Sequence, residues 1–193
     1  MPRWPDDHDT MEAATPSELR RWLEVHHADT DAVWFRYWKK GSGRPSLTWS
    51  EVVDELLCFG WIDAKAQSVD DDCYVQYLTR RRAGSVWSRI NQEKVARLTA
   101  EGRMTEAGTV AVQRARDDGS WNALDPVEDL VVPDDLAAAL DARPGARAFY
   151  ESLPMSAKKQ VLGAVYLAKR PATRAARVEK VADDCAAEIA PQP

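Results

Sequence analysis

Three consecutive arginines, Arg80-Arg81-Arg82, followed by Trp87, Ser88, Arg89 and Asn91, are the residues of this chain best suited to hold an anion. Each guanidinium offers a planar fork of donors that matches a carboxylate or a phosphate. A helix starting near Ser88 would set its free backbone N–H groups close by, and these also favour negative charge. Trp61, Tyr74, Tyr77 and Trp87 lie near in sequence and would offer flat surfaces for a base or peptide. A solvated turn whose arginines neutralise Asp70, Asp71 and Asp72 is the blander account, and both stay open. A second cationic set is Lys169, Arg170, Arg174 and Arg177. Lys169 and Arg170 suit the negative end of a helix, whereas Arg174 and Arg177, on the next helix, have less structural reason to be there. If the helical half folds back on the sheet, both sets would line one groove.

The stretch C-F-G-W-I-D-A-K, Cys58 to Lys65, holds the remaining reactive groups. A thiolate at Cys58 with His26 or His27 as its base would make a nucleophile. Against this, Cys58 sits in the last turn of a helix, where the dipole disfavours a thiolate, so a small buried hydrophobe is the better reading. Asp63 and Lys65, two residues apart, should share one face of a strand; Asp63 then either locks an arginine of the basic stretch or binds ligand. His26 and His27 are adjacent rather than four apart, and the three cysteines form no C-x-x-C pair, so no metal site is implied. Phosphate-loop, dinucleotide and nucleophile-elbow motifs are missing as well, and no cofactor is implied.

The elements that must position these groups follow from caps and periodicity. Thr15-Pro16-Ser17-Glu18 has the form of a capping box with proline in the first turn, predicting a helix to about His27. Val33-Trp34-Phe35-Arg36-Tyr37-Trp38 is apolar on both faces, as a covered central strand requires. Thr48-Trp49-Ser50-Glu51 opens a second helix that Gly60 should end in the left-handed conformation. Strands follow at Trp61–Ala66 and Cys73–Leu78, joined by the acidic turn. From Ser88 the period is helical: to Gly102, from Met104 to Asp117, and, after a loop at 120–133, over 134–141, 146–152, 156–169 and 171–187. The fold class is therefore α+β, a small mixed or antiparallel sheet with packed helices, then a helical C-terminal half. Residues 1–14 read as a flexible leader, 15–119 as the α+β region and 134–187 as the helical region, the two forming one compact unit. Most of the eight tryptophans, Trp22, Trp34, Trp49 and Trp61 among them, read as core.

Charge is unevenly spread along the 193 residues. Residues 1–75 carry 8 basic and 15 acidic side chains, 76–116 carry 9 and 3, and 117–193 carry 9 and 13, for a total of −5. Only the middle is basic; it can attract an anionic ligand, while its acidic surround opposes long-range attraction to DNA. The first nine residues lack the basic and apolar run of a signal peptide, and no stretch nears the roughly 18 apolar residues of a membrane span. With three widely spaced cysteines these features imply a soluble protein of a reducing, cytoplasmic compartment, without a membrane partner.

Blocks along the chain, among them V-W-F-R-Y-W-K-K-G-S-G-R-P-S (Val33 to Ser46), C-F-G-W-I-D (Cys58 to Asp63), W-S-R-I-N (Trp87 to Asn91), V-P-D-D-L (Val132 to Leu136) and A-K-R-P-A-T-R-A-A-R (Ala168 to Arg177), resemble the YdeI/OmpD-associated, or bacteriocin-protection, family over residues 17–182. The resemblance implies a small bacterial protein linked to bacteriocin or stress tolerance, and no reaction. Where the family pattern reads F-T-P-R-R, this chain has Leu78-Thr79-Arg80-Arg81-Arg82, losing a proline and gaining a cation. The resulting expectation is a non-enzymatic binding protein with a cationic, aromatic-lined groove formed by Arg81, Arg82, Trp87, Arg89, Asn91, Trp61, Asp63, Arg170, Arg174 and Arg177. Its ligand would be an anionic small molecule, nucleic acid or acidic peptide. An enzyme using Cys58 or Asp63 with His26 or His27, and a protein-interaction module, are the alternatives; the oligomeric state is not legible in one chain.

Overall fold

The computed structural model describes residues 10–192. Two compact units make up the chain: residues up to Ser85 with Ile90–Gly119, and Val86–Arg89 with the chain from Ser120 onward. The first holds a four-stranded mixed sheet ordered β1-β2-β4-β3, with β1 Thr10–Met11, β2 Ala32–Trp38, β3 Trp61–Ser68 and β4 Cys73–Arg80. β1 runs parallel to β2, and the other pairs are antiparallel. β2 is interior, as its two apolar faces demand: Trp34, Phe35 and Tyr37 are all buried. Of the leader, residues 1–9 lie outside the described residues, Trp4 and His8 with them; Thr10 and Met11 are strand rather than free chain.

Four helices run between residues 16 and 117: α1 (Pro16–His26), α2 (Trp49–Cys58), α3 (Arg89–Ala100) and α4 (Glu106–Asp117). The capping box of α2 is reciprocal, Glu51 N donating to Thr48 Oγ1 at 3.3 Å and Thr48 N to Glu51 Oε2 at 2.8 Å. At α1 the return bond slips by one residue, so that Glu18 accepts from Ala14 N. Gly60, at φ 72°, ends α2 in the left-handed region as its position predicts. One expectation fails between β3 and β4. Asp63 lies opposite Leu78, but Ala66 lies opposite Gln76, so a bulge inserts a residue and breaks the alternation that would have put Lys65 beside Asp63. Lys65 is exposed instead. Trp49 is a second correction: 43% of it is exposed, because it stands in the first turn of α2 and turns its indole N–H to Asp63.

The second unit is helical. α5 (Asp125–Glu128), α6 (Asp134–Asp141), α7 (Ala146–Ser152), α8 (Met155–Tyr166) and α9 (Pro171–Ala186) enclose Leu136, Leu140, Val161, Leu162, Val165, Val178 and Val181. The segment 120–133, read as a loop, contains the single turn α5. α8 stops three residues short of the predicted Lys169: the residue before Pro171 is sterically driven to extended backbone, and Arg170 adopts φ −103°, ψ 130°. Among the described residues no helix is long and apolar enough to cross a membrane.

Candidate functional site

The end of β4 and the end of α2 are tied together at one corner of the first unit. Arg81 N donates to Gly60 O (2.9 Å), and Arg80 N and Thr79 Oγ1 both donate to Asp31 O (3.1 and 3.0 Å). α4 is drawn to the same corner: Thr105 N and Oγ1 donate to Cys58 O at 3.1 and 2.6 Å. A Cβ on Gly108 would stand 2.3 Å from that oxygen, so only glycine lets α4 come this close. α4 thus brings Ala107, Val110, Ala111 and, in its last turn, Arg114 alongside the strand end, where Arg114 Nη2 donates to Arg81 O (2.7 Å).

The corner opens into a cleft of about 390 Å³ lined by Asp31, Thr79, Arg80, Arg81, Arg82 and Arg114. A second hollow of about 270 Å³ shares Arg80, Arg81 and Arg114 and continues along Phe59, Val110 and Ala111, with His27 at its edge. Four arginines therefore line the cleft with one acidic residue, Asp31, and one of the four, Arg81, is buried. Arg80 holds that carboxylate, Asp31, and also donates to Ala28 O (2.9 Å). Its hydrogen bond and charge, with Arg82 behind, keep the Asp31 carboxyl below its ordinary range. Arg81 is 5% exposed; burial brings its pKa down to about 10, against the opposing pull of Asp63, so it remains a cation at neutral pH.

Much of the remaining basic charge of residues 76–116 is neutralised locally. Lys94 and Arg97 hold Asp54 (2.7 and 2.6 Å), Arg103 holds Glu55 (2.6 Å), and Arg97 and Arg103 share Glu101.

The residues singled out in the sequence are divided between the units. Arg81, Arg82, Trp61, Asp63 and Asn91 belong to the first, and Trp87, Arg89, Arg170, Arg174 and Arg177 to the second. Arg81 and Arg82 line the cleft. Trp61 and Trp87 do not serve as stacking surfaces, because both are completely covered: Trp61 sits edge-on to Trp22 with its N–H on His27 O, and Trp87 lies against Trp121. Asp63 acts on Arg81 through its charge, while Trp49 Nε1 and Gln76 Nε2 donate to its Oδ2 at 2.9 and 2.7 Å. Arg89 is held by Asp129 (2.8 Å) and Arg174 by Asp135 (2.7 and 3.0 Å). Arg174 and Arg177 do have a structural role: they donate to Val165 O and Ala164 O, carbonyls of the last turn of α8. Arg170 is exposed at the start of α9, and Asn91 is half-buried in the first turn of α3.

The nucleophile reading of Cys58 meets a buried thiol. Burial first, then the charge of Glu55, pushes its pKa up, and its polar neighbours are Arg20 and Arg103. His27 is otherwise engaged, Nδ1 lying 2.8 Å from Leu23 O and the ring 5.3 Å from Phe59. Arg114 is the cleft residue that sequence reading missed: in an amphipathic helix nothing distinguishes it from Arg116, two positions on.

No curated protein and no solved structure matches the chain. Residues 129–188, from just before α6 to just past α9, match the family described as Bacteriocin-protection, YdeI or OmpD-Associated. Residues 11–111, which contain the sheet and most of the cleft, match a domain of unknown function, DUF8412. The resemblance read over 17–182 is thus met in the helical unit, while its motifs before residue 112 fall in the other domain. The chain belongs to the DUF8412 family, whose domain covers more than half of it, and its residues 129–188 carry a domain of the bacteriocin-protection, YdeI or OmpD-associated type.

Proposed function

We propose that this is a binding protein rather than an enzyme, capturing a phosphate- or carboxylate-bearing ligand in the cleft between the end of β4 and α4. Its role would be bacteriocin or stress tolerance in a bacterial cytoplasm, as the family of its helical unit suggests. The observation that carries the reading is the cleft at which Arg80, Arg82 and Arg114 meet, with Asp31 as the acidic residue of its lining. Guanidinium forks converging on one cleft match the oxygens of such anions and gain strength where water is partly excluded. The three described cysteines, free and buried, fit a reducing compartment.

Thermal-shift measurements on the whole chain with inorganic phosphate, nucleotides, short RNA and DNA, and an acidic peptide, at low and high salt, test it. Small phosphates should raise Tm, less so at high salt. Loss of one charge-assisted contact costs about 1.5–3 kcal/mol, so Arg82→Ala or Arg114→Ala should weaken binding about tenfold or more. No stabilisation by any anion would overturn the reading, and preference for a polymer would reassign the ligand.

A further inference from the structure

The chain enters the helical unit twice. After Ser85 it leaves the first unit for four residues, Val86–Arg89, and returns with Ile90; it enters again at Ser120. Residues 85–88 hold no regular structure, and Gly84, exposed and at φ 71°, precedes them. Of the four visiting residues Trp87 alone is buried, at 1% exposure, while Val86, Ser88 and Arg89 are half-buried. By family match the four fall within the domain of residues 11–111, whereas Asp129, which receives Arg89, opens the match at 129–188.

The seat that holds them lies within residues 120–130. Trp87 packs on Trp121 with ring centroids 5.0 Å apart and planes tilted by 44°, a separation at which aromatic pairs attract beyond their burial. Two residues on, Arg89 Nη2 reaches Asp129 Oδ1 at 2.8 Å. Asp129 is held in place by the turn after it. Leu130 takes φ 55° and closes α5, its N–H donating to Val127 O and that of Val131 to Pro126 O, while the Leu130 side chain packs on the helical core. The other acidic groups near Arg89 are Glu128 and Asp125, and they are engaged by Lys159 and Asn122. Asp129 is therefore the carboxylate that answers Arg89. A buried aromatic that supplies affinity and an exposed charge pair that sets register are the parts of a docked peptide. We infer that the helical unit carries a recognition site for an extended peptide of the pattern Trp-x-Arg, and that residues 86–89 are its resident occupant, a strap for which a partner chain of that pattern competes.

Fluorescence-anisotropy titration of the whole chain with a labelled peptide of residues 84–91, G-S-V-W-S-R-I-N, tests this. Trp87→Ala empties the anchor position, and this variant should bind the peptide. The same peptide with alanine in place of its tryptophan should bind at least about tenfold more weakly. Arg89→Glu drives the strap from Asp129 but leaves Trp121 and Asp129 intact, and in the first turn of α3 a carboxylate suits the helix, so this variant serves if loss of the tryptophan unfolds the unit. It should bind the peptide more tightly than the unaltered chain, whose seat is open only for the fraction of time its own strap is away. No gain of binding by Arg89→Glu over the unaltered chain would overturn the inference. Binding to either variant that is indifferent to the peptide's tryptophan would do the same.

Discussion

Glu55 is 3% exposed and carries two arginines, Arg20 at 3.1 Å and Arg103 at 2.6 Å. From it a chain of ion pairs runs through Glu101 and Arg97 to Asp54 and Lys94, joining α1, α2, α3 and the turn before α4. Members of this chain differ in weight because they differ in solvation. Removing one partner of a buried pair leaves uncompensated charge, so Glu55→Gln should cost about 3 kcal/mol. Arg97→Ala, at an exposed position, should cost less than about 1 kcal/mol. Denaturant unfolding of the two variants checks the contrast; equal losses would mean that Glu55 is better solvated than its burial implies. Cys58 supplies a second residue-scale outcome. With its thiol covered and its pKa raised, native protein should react with iodoacetamide far more slowly than unfolded protein, read by mass spectrometry. Rapid native labelling at Cys58 near neutral pH would restore the nucleophile reading.

Two glycines in helices separate close approach from mere flexibility. At Gly108 of α4 an added Cβ meets backbone, Cys58 O at 2.3 Å and Leu57 O at 2.8 Å, whereas at Gly163 of α8 nothing lies within 4 Å. Gly163→Ala should therefore stabilise by about 0.5–1 kcal/mol, the ordinary helix-interior gain. Gly108→Ala should lose that gain to overpacking and end about 1–3 kcal/mol less stable. Because α4 must then move, the variant should also weaken phosphate binding through Arg114. Thermal unfolding and titration of both variants give the signs. Features set by local chemistry were legible in advance: the Thr48 capping box, the left-handed Gly60, the covered strand at Val33–Trp38, the helices at 134–141 and 146–152. What escaped depends on distant chain. Arg114 meets Arg81 across 33 residues, Arg174 and Arg177 cap the helix before their own, and the bulge at Asp63–Ala66 exists only as a register between two strands. Half of the cleft was consequently visible, the arginine run on β4, and the half that α4 brings was not.

Across the whole molecule, acid and ligand chemistry should separate on the pH axis. Carboxyls in both units are held below their ordinary values by partners they keep only when folded: Asp31 by Arg80, Glu51 by Thr48, Asp70 by backbone N–H groups, Glu101 by Arg97, Asp135 by Arg174 and Asp141 by Arg147. A depressed folded pKa contributes stability that is fully present above the unfolded value, 3.8 for aspartate and 4.5 for glutamate, and is lost as pH falls through the folded one. Tm should thus hold nearly level from neutral pH down to about 5 and drop below about 4. Arginine side chains in general stay charged far above this range, and even the buried Arg81, at about 10, is a cation throughout it. A phosphomonoester, in contrast, loses its second charge with a pKa of about 6. Binding of a small phosphomonoester should therefore weaken between about pH 7 and 5 while the protein remains folded. Titrations and melting curves on the same samples resolve the two. A binding loss that coincides with the fall in Tm would mean that the fold, and not the charge of the phosphate, sets the limit.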